Sequence, residues 1–242
     1  MSISSLKYSL PAAAMGFFET HTLAARLLGP VARSRLSARL GVLARACMGA
    51  TAFDLHDVDL GSGRIGIGGV DEIMFGSKFI GVLHEVFGEE LGEDGKKRAL
   101  FEAGRRCAHW EVSTALHSGK WAPRALVPLF ARPGIIDEVR RDPDVARLFD
   151  QTMKMVARLI SNEGGWGTLE IDAVGSPMTV TLRNSQEVNW VGDSDRPVCH
   201  FSAGVFSGYT SAISGEELTA REVACAATGA PACVFEIDGP GR

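Results

Sequence analysis

Apolar residues change their spacing partway along this chain. Up to about residue 160 they recur every three or four positions, and after Gly164 and Gly165 they alternate. The first spacing marks one face of an α-helix and the second one face of a β-strand. "SRLSARLGVLARACM" sets Leu36, Leu40, Leu43 and Cys47 in an amphipathic stripe, which makes Cys47 a core position. "TAFDLHDVDL" and "GRIGIGG" read as two extended segments turning at Gly61 and Gly63, with Phe53, Leu55, Ile65 and Ile67 alternating, hence a hairpin. From about Asp71 two helices are expected, "EIMFGSKFIGVLHEVFGEEL" and "KKRALFEAGRRCAHWEVSTAL", parted at "GEDG". In the second, Leu100, Ala103, Cys107, Trp110 and Thr114 share a face, which puts Cys107 in the core, and Gly104 is small enough to admit a neighbouring helix. "WAPRALVPLFARPG" reads as a loop or lid, and "IIDEVRRDPDVARLFDQTMKMVARLI" as helix broken near Pro143. In "WGTLEID" and "MTVTLRN" the period becomes two, with Leu169 and Ile171, then Val180 and Leu182, on one side.

A helical half thus precedes a strand-rich half, an α+β domain over residues 51–242 with an N-terminal helical arm over residues 1–50. Length and an apolar fraction of 45 % fit an ordinary globular chain. The five cysteines match no secreted scaffold and no signal-peptide pattern opens the chain, so a reducing cytoplasm is expected and disulfides are not. The most apolar stretch, "LPAAAMGFFETHTLAARLLGPVA", is interrupted by Glu19, His21, Arg26 and Pro30, so no membrane span is expected. Charge is unevenly placed: residues 1–48 carry a balance of +5, which leaves −9 for the remainder. A basic arm suits a membrane surface, nucleic acid or an acidic partner. Five spaced arginines without interleaved aromatics fall short of a nucleic-acid footprint, so contact with the chain's own acidic domain or a twin subunit is the expectation, and direct DNA binding is not.

"GSGRIG", Gly61 to Gly66, satisfies a dinucleotide-binding pattern in letters, but it runs into the alternating "IGIGGVDE" where a helix N-terminus should meet the pyrophosphate. It is not a nucleotide site. The other chemistry lies in "REVACAATGAPAC". Glu222 and Cys225 are three apart and would share a face on a helical turn, and Gly229 and Pro231 let the chain fold back to Cys233. Cys199, heading an expected helix, is a fourth candidate ligand, with His200 as its alternative. Spacing alone leaves the choice open between a metal site and three core thiols beside a surface carboxylate, since free cysteine is commonly buried.

The stretch "PVCHFSAGVFSGYTSAISGEELTAREVACAATGAPACVFEI" resembles the C-terminal half of the 4-vinyl reductase domain family, in which a cysteine heads a helix with a G-x3-G-Y/F element and is followed by Glu-x2-Cys and by Cys-x-Phe. The resemblance reaches back more weakly through "NSQE", "GGWGTLEI" and "LGEDGKKRALFEAGR", and residues 1–50 have no counterpart. It implies a structural Zn2+ held by Cys199, Glu222, Cys225 and Cys233, and a fold like the ligand-binding domains of nitric-oxide signalling and Golgi transport, enclosing a hydrophobic pocket. Lining for such a pocket is offered by Trp110, Trp166, Met178, His200, Phe206 and Tyr209. His84, His109 and His117 have no partner at metal spacing and read as ordinary histidines. Phenol-sensing members clamp the ligand hydroxyl with a histidine and a tryptophan; no histidine stands between His117 and His200 here and "VTLRNSQEV" has no tryptophan, so phenol is not the expected ligand.

The resemblance implies a non-enzymatic module that binds a small hydrophobic molecule, as sensor or carrier and as a homodimer. Sensor relatives continue into an ATPase and a DNA-binding domain, whereas this chain stops at Arg242, so output through a separate signalling protein is expected. The alternative is a tetrapyrrole 4-vinyl reductase or its pigment carrier, although a reductase needs a hydride source that no motif here supplies. A purely structural role is the third.

Overall fold

The computed structural model describes residues 3–34, 37 and 40–239; Leu36, Arg35 and Arg39 lie outside the described residues. Backbone contacts divide the chain into two units, Met1–Ile73 with Ser113–Gly164, and Met74–Val112 with Gly165–Arg242. The molecule is helical with antiparallel sheets.

The first unit begins with α1 (Ile3–Thr20), α2 (Thr22–Arg33) and α3 (Val42–Cys47), and α1 packs on α7 (Pro143–Ala157). Its core joins Ala32, Val42, Ala46, Leu55, Trp121 and Met155. The expected stripe is shorter than the sequence suggested: Gly41, at φ 81°, starts α3, and Val42 and Ala46 are buried while Leu40 is exposed. Cys47 is half-buried, its sulfur 3.6 Å from that of Met155. The hairpin forms from β1 (His56–Asp59) and β2 (Arg64–Ile67), and β3 (Val70–Glu72) adds a third strand. "GSGRIG" is its turn and second strand, with Asp59 accepting from the Gly61 N–H at 2.9 Å. Phe53 and Leu55 are not extended. A capping box between Thr51 and Asp54 winds them into α4 (Ala52–Leu55), leaving Phe53 82 % exposed. The proline-rich stretch is a loop with one 3-10 turn, Val127–Leu129, followed by α6 (Ile135–Arg141). Asp142 caps α7 and Pro143 opens it, which is the expected break. At the far end of α7 the turn Arg158–Asn162 widens to a π-helix, where the Arg158 guanidinium donates to the Ala46 and Ala50 carbonyls at 3.1 and 3.2 Å.

The second unit is built on a sheet of order β4-β5-β7-β6, all antiparallel, from β4 (Thr168–Asp172), β5 (Met178–Arg183), β6 (Thr219–Ala224) and β7 (Cys233–Asp238). The expected alternation holds in register, Leu169 opposite Leu182 and Ile171 opposite Val180. α5 (Lys78–Ser118) spans both expected helices and is interrupted at Gly92, φ 67°, where "GEDG" begins. Its buried face is Leu100, Gly104, Ala108 and Val112, so the expected stripe is misphased: Cys107 is exposed and Trp110 is 58 % exposed. The phase follows from α9 (His200–Ser214), which crosses at Gly104 so closely that a Cβ there would sit 2.3 Å from the Phe201 carbonyl oxygen. Gly204 and Gly208 face the same crossing, with a Cβ 2.0 Å from Phe101 O and 2.3 Å from Arg105 O respectively. Contact at that separation requires glycine, so small residues rather than the larger Cys107 and Trp110 mark the packed side.

Candidate metal centre

Four elements bring the cysteine cluster together. Cys199 is the N-cap of α9, Glu222 sits near the end of β6, Cys225 follows that strand, and Cys233 opens β7. In a regular strand residues three apart point to opposite faces. β6 and β7 are out of step between Glu222 and Ala224: Glu222 opposes Phe235 and Ala224 opposes Val234, so two steps on β6 match one on β7. This bulge at Val223 returns Glu222 and Cys225 to one side. The sequence reading of a helical turn is therefore corrected, while the shared face it predicted is present. After Cys225 a 3-10 turn, Ala226–Thr228, ends at Gly229 with φ 90°, and the Ala230 N–H returns to the Cys225 carbonyl at 3.2 Å.

The three sulfurs and a Glu222 oxygen all lie within 4.8 Å of one another, and all three cysteines are fully buried. The Cys199 and Cys233 sulfurs are 3.4 Å apart. A tetrahedral centre with bonds of about 2.3 Å needs ligand atoms about 3.8 Å apart, within small adjustments of this arrangement. Four acidic groups in one dry pocket cannot all ionise without a cation. Cys199, which donates to the other two thiols, is pushed up, Cys225 falls to about 4 through the hydrogen bond from Cys199, and Cys233 falls for the same reason. Glu222 is raised to about 9, by burial first and the adjoining Cys225 sulfur second. Its Oε2 accepts from the Cys199 N–H at 3.0 Å, whereas Oε1 is buried with no hydrogen-bond partner. A buried, unsatisfied carboxylate oxygen facing three thiols is costly unless something positive meets it. The donor set fits a metal ion.

A second carboxylate holds the N-terminus of α9. Cys199 offers no side-chain cap, and Glu187, in α8 (Gln186–Val191), replaces it. Its oxygens accept from the Phe201 and Ser202 N–H groups at 2.9 and 2.8 Å and from the Ser202 hydroxyl at 2.6 Å, and His84 Nε2 lies 3.0 Å away. Sequence reasoning included Glu187 within "NSQE" without giving it a role and set His84 aside as ordinary. The available signal was a helix headed by cysteine, a residue type that caps poorly, which requires a donated carboxylate from elsewhere.

The six residues named as pocket lining have different surroundings. Met178 is buried opposite Ile237, and Phe206 packs edge-on against Phe235 at 4.9 Å. The Tyr209 hydroxyl donates to Glu111 at 3.1 Å, and Trp166 stacks on Phe201 at 5.8 Å. His200 is half-buried at the start of α9, its pKa lowered by burial. Trp110 is largely exposed on the outer face of α5. His109 is exposed, and His117, also exposed, hydrogen-bonds the Ser113 carbonyl at 2.6 Å through Nδ1.

Comparison with known proteins agrees with this architecture. Residues 178–238, which contain all four clustered residues, match the 4-vinyl reductase domain family. The Bacteriochlorophyll synthase 23 kDa chain of Cereibacter sphaeroides is 47 % identical over 69 residues, 28 % of this chain and 32 % of that protein. The alignment thus spans about a third of that relative's length. In fold, the chain is similar to the phenol-responsive sensory domain of the transcription activator PoxR, crystallised with phenol, at a TM-score of 0.53 and 18 % identity, covering 85 % of this chain and 90 % of that one. A vinyl-4-reductase family protein from Methanocaldococcus jannaschii aligns at a TM-score of 0.38 with 19 % identity, over 69 % of this chain and 83 % of that one.

Proposed function

Residues 178–238 form a 4-vinyl reductase domain, and on that premise we propose that this protein is a non-enzymatic binding module, clipped by zinc, that takes up a small hydrophobic molecule as a sensor or carrier. The observation that carries the reading is the Glu222 carboxylate, buried among three thiols with Oε1 unsatisfied. Thiolate-rich donor sets with one oxygen suit zinc over magnesium or calcium. With Cys199, Glu222, Cys225 and Cys233 as four protein ligands, no position is left for a reactive water, and the metal's contribution is to fasten β6 and β7 to the head of α9. Apparent folding free energy from such a site is on the order of 10 kcal/mol. The hydrophobic ligand is assigned to the α9 side of the sheet, where Phe206, Tyr209, His200 and Trp166 offer aromatic surface with two polar handles. Homodimerisation and a separate signalling partner belong to the same reading.

Native mass spectrometry of the full chain, purified without added metal, tests it. One zinc per chain, lost on Cys225→Ser, together with an additional organic mass, is the expected spectrum. A metal-free wild-type chain of ordinary stability removes the zinc clip. A metal-bound chain that carries no organic mass and takes up no hydrophobic probe leaves a structural role in place of the sensor.

The identity to the Bacteriochlorophyll synthase 23 kDa chain favours one alternative, a carrier or accessory factor for a tetrapyrrole vinyl substrate, or the 4-vinyl reductase itself. Pigment absorbance co-purifying with the protein selects it over the sensor.

A further inference from the structure

α2 packs against its unit with the face opposite to the one its apolar residues favour. Gly29 and Ala32 are buried, while Leu23, Leu27 and Val31 are 71, 72 and 51 % exposed. Steps of four residues place these three in a single outward stripe. The preceding helix, α1, leaves Leu10 and Phe17 exposed as well. A surface helix ordinarily turns its apolar stripe inward and its charges outward. Here the outward stripe lies in the part of the chain that carries the positive charge, since residues 1–48 balance to +5 against −9 for the rest, with Arg26 and Arg33 inside α2 itself. Arg45 is engaged within the protein, donating to the Ala32 carbonyl at 2.8 Å and the Asp54 carbonyl at 3.3 Å.

We propose that α2 is a docking surface for an anionic phospholipid bilayer. Its axis lies in the membrane plane, Leu23, Leu27 and Val31 enter the acyl boundary, and the basic residues of the arm meet lipid phosphates. Nucleic acid would use the charge but leave three aliphatic side chains in water. An arm-to-arm contact with a second copy sets +5 against +5. Among the described residues no helix is long and apolar enough to cross a membrane, so the attachment is peripheral.

The test is co-sedimentation of the full chain with vesicles of phosphatidylcholine alone or containing about 30 % phosphatidylglycerol. Binding is expected only to the anionic vesicles, and it should be released in about 1 M salt, where the Debye length is about 3 Å. The double substitution Leu23→Asp and Leu27→Asp should weaken binding at least about tenfold. Both side chains are exposed, so circular dichroism and metal content should match the wild type; if they do not, Leu23→Gln with Leu27→Gln is judged by the same criterion. Absence of binding to anionic vesicles overturns the proposal, as does a folded variant that binds like the wild type. Light scattering that reveals loss of self-association in the variant with vesicle binding unchanged assigns the stripe to a second copy, and also overturns it.

Discussion

Glu187 is 2 % exposed and takes two backbone N–H groups, a serine hydroxyl and a histidine nitrogen. A carboxylate so supplied replaces the cap that Cys199 lacks and leaves the cysteine's sulfur free to face the cluster. Glu187→Gln puts an amide donor against donors and should cost about 2–3 kcal/mol, lowering Tm by about 4–10 °C in a thermal melt. Glu222 stands apart from Glu187 because one of its oxygens is left without a partner. Cys107 makes a contrasting case. Its residue surface is exposed, but burial of the sulfur first, and Glu111 beside it second, raise the thiol to about 11 from an ordinary 9.0. The thiolate is the reactive form, so at neutral pH iodoacetamide should label Cys107 about 100-fold more slowly than an unperturbed thiol. Labelling followed by peptide mass spectrometry should rise about tenfold per pH unit until about pH 11, and Glu111→Gln should accelerate it.

At the level of elements, the crossing of α5 and α9 fixes where Cys199 stands. Gly204→Ala places a methyl 2.0 Å from a carbonyl oxygen, so the helices must part, at a cost above about 3 kcal/mol in denaturant melts. Gly88→Ala, where the nearest atom is the flexible end of Lys96 at 3.6 Å, should be neutral or stabilise by about 0.5–1 kcal/mol. Sequence patterning found Gly104, the break at Gly92 and the alternating strands β4 and β5, because a missing Cβ, a flexible turn and a period of two all leave direct marks in the letters. It misphased α5 because the buried face there is made of Gly104 and Ala108, which weigh little beside Cys107 and Trp110 in any hydrophobic count. The bulge at Val223 left no mark, since valine suits every strand position; it depends on the register with β7, which no local pattern encodes. The cluster residues themselves were legible from a resemblance, and their common side from a geometry that turned out to be a different one.

For the whole molecule, all four cluster residues belong to the unit Met74–Val112 with Gly165–Arg242, and none to the core around Trp121 and Met155. Stability of domains is about 5–15 kcal/mol, comparable with the contribution of a structural zinc. Chelation should therefore split calorimetric unfolding into two transitions, with hydrogen exchange assigning the earlier one to residues 74–112 and 165–239; one unchanged transition after metal removal would falsify the clip. The two units also alternate along the chain, since each is made of two separate segments. Residues 178–238 carry the family match and every cluster residue, yet the glycine face of α9 closes only on Phe101, Gly104 and Arg105, well outside that stretch. Recombination that moved residues 178–238 alone into another protein would carry the ligands without their support. This module is inherited as two distant exons' worth of sequence or not at all.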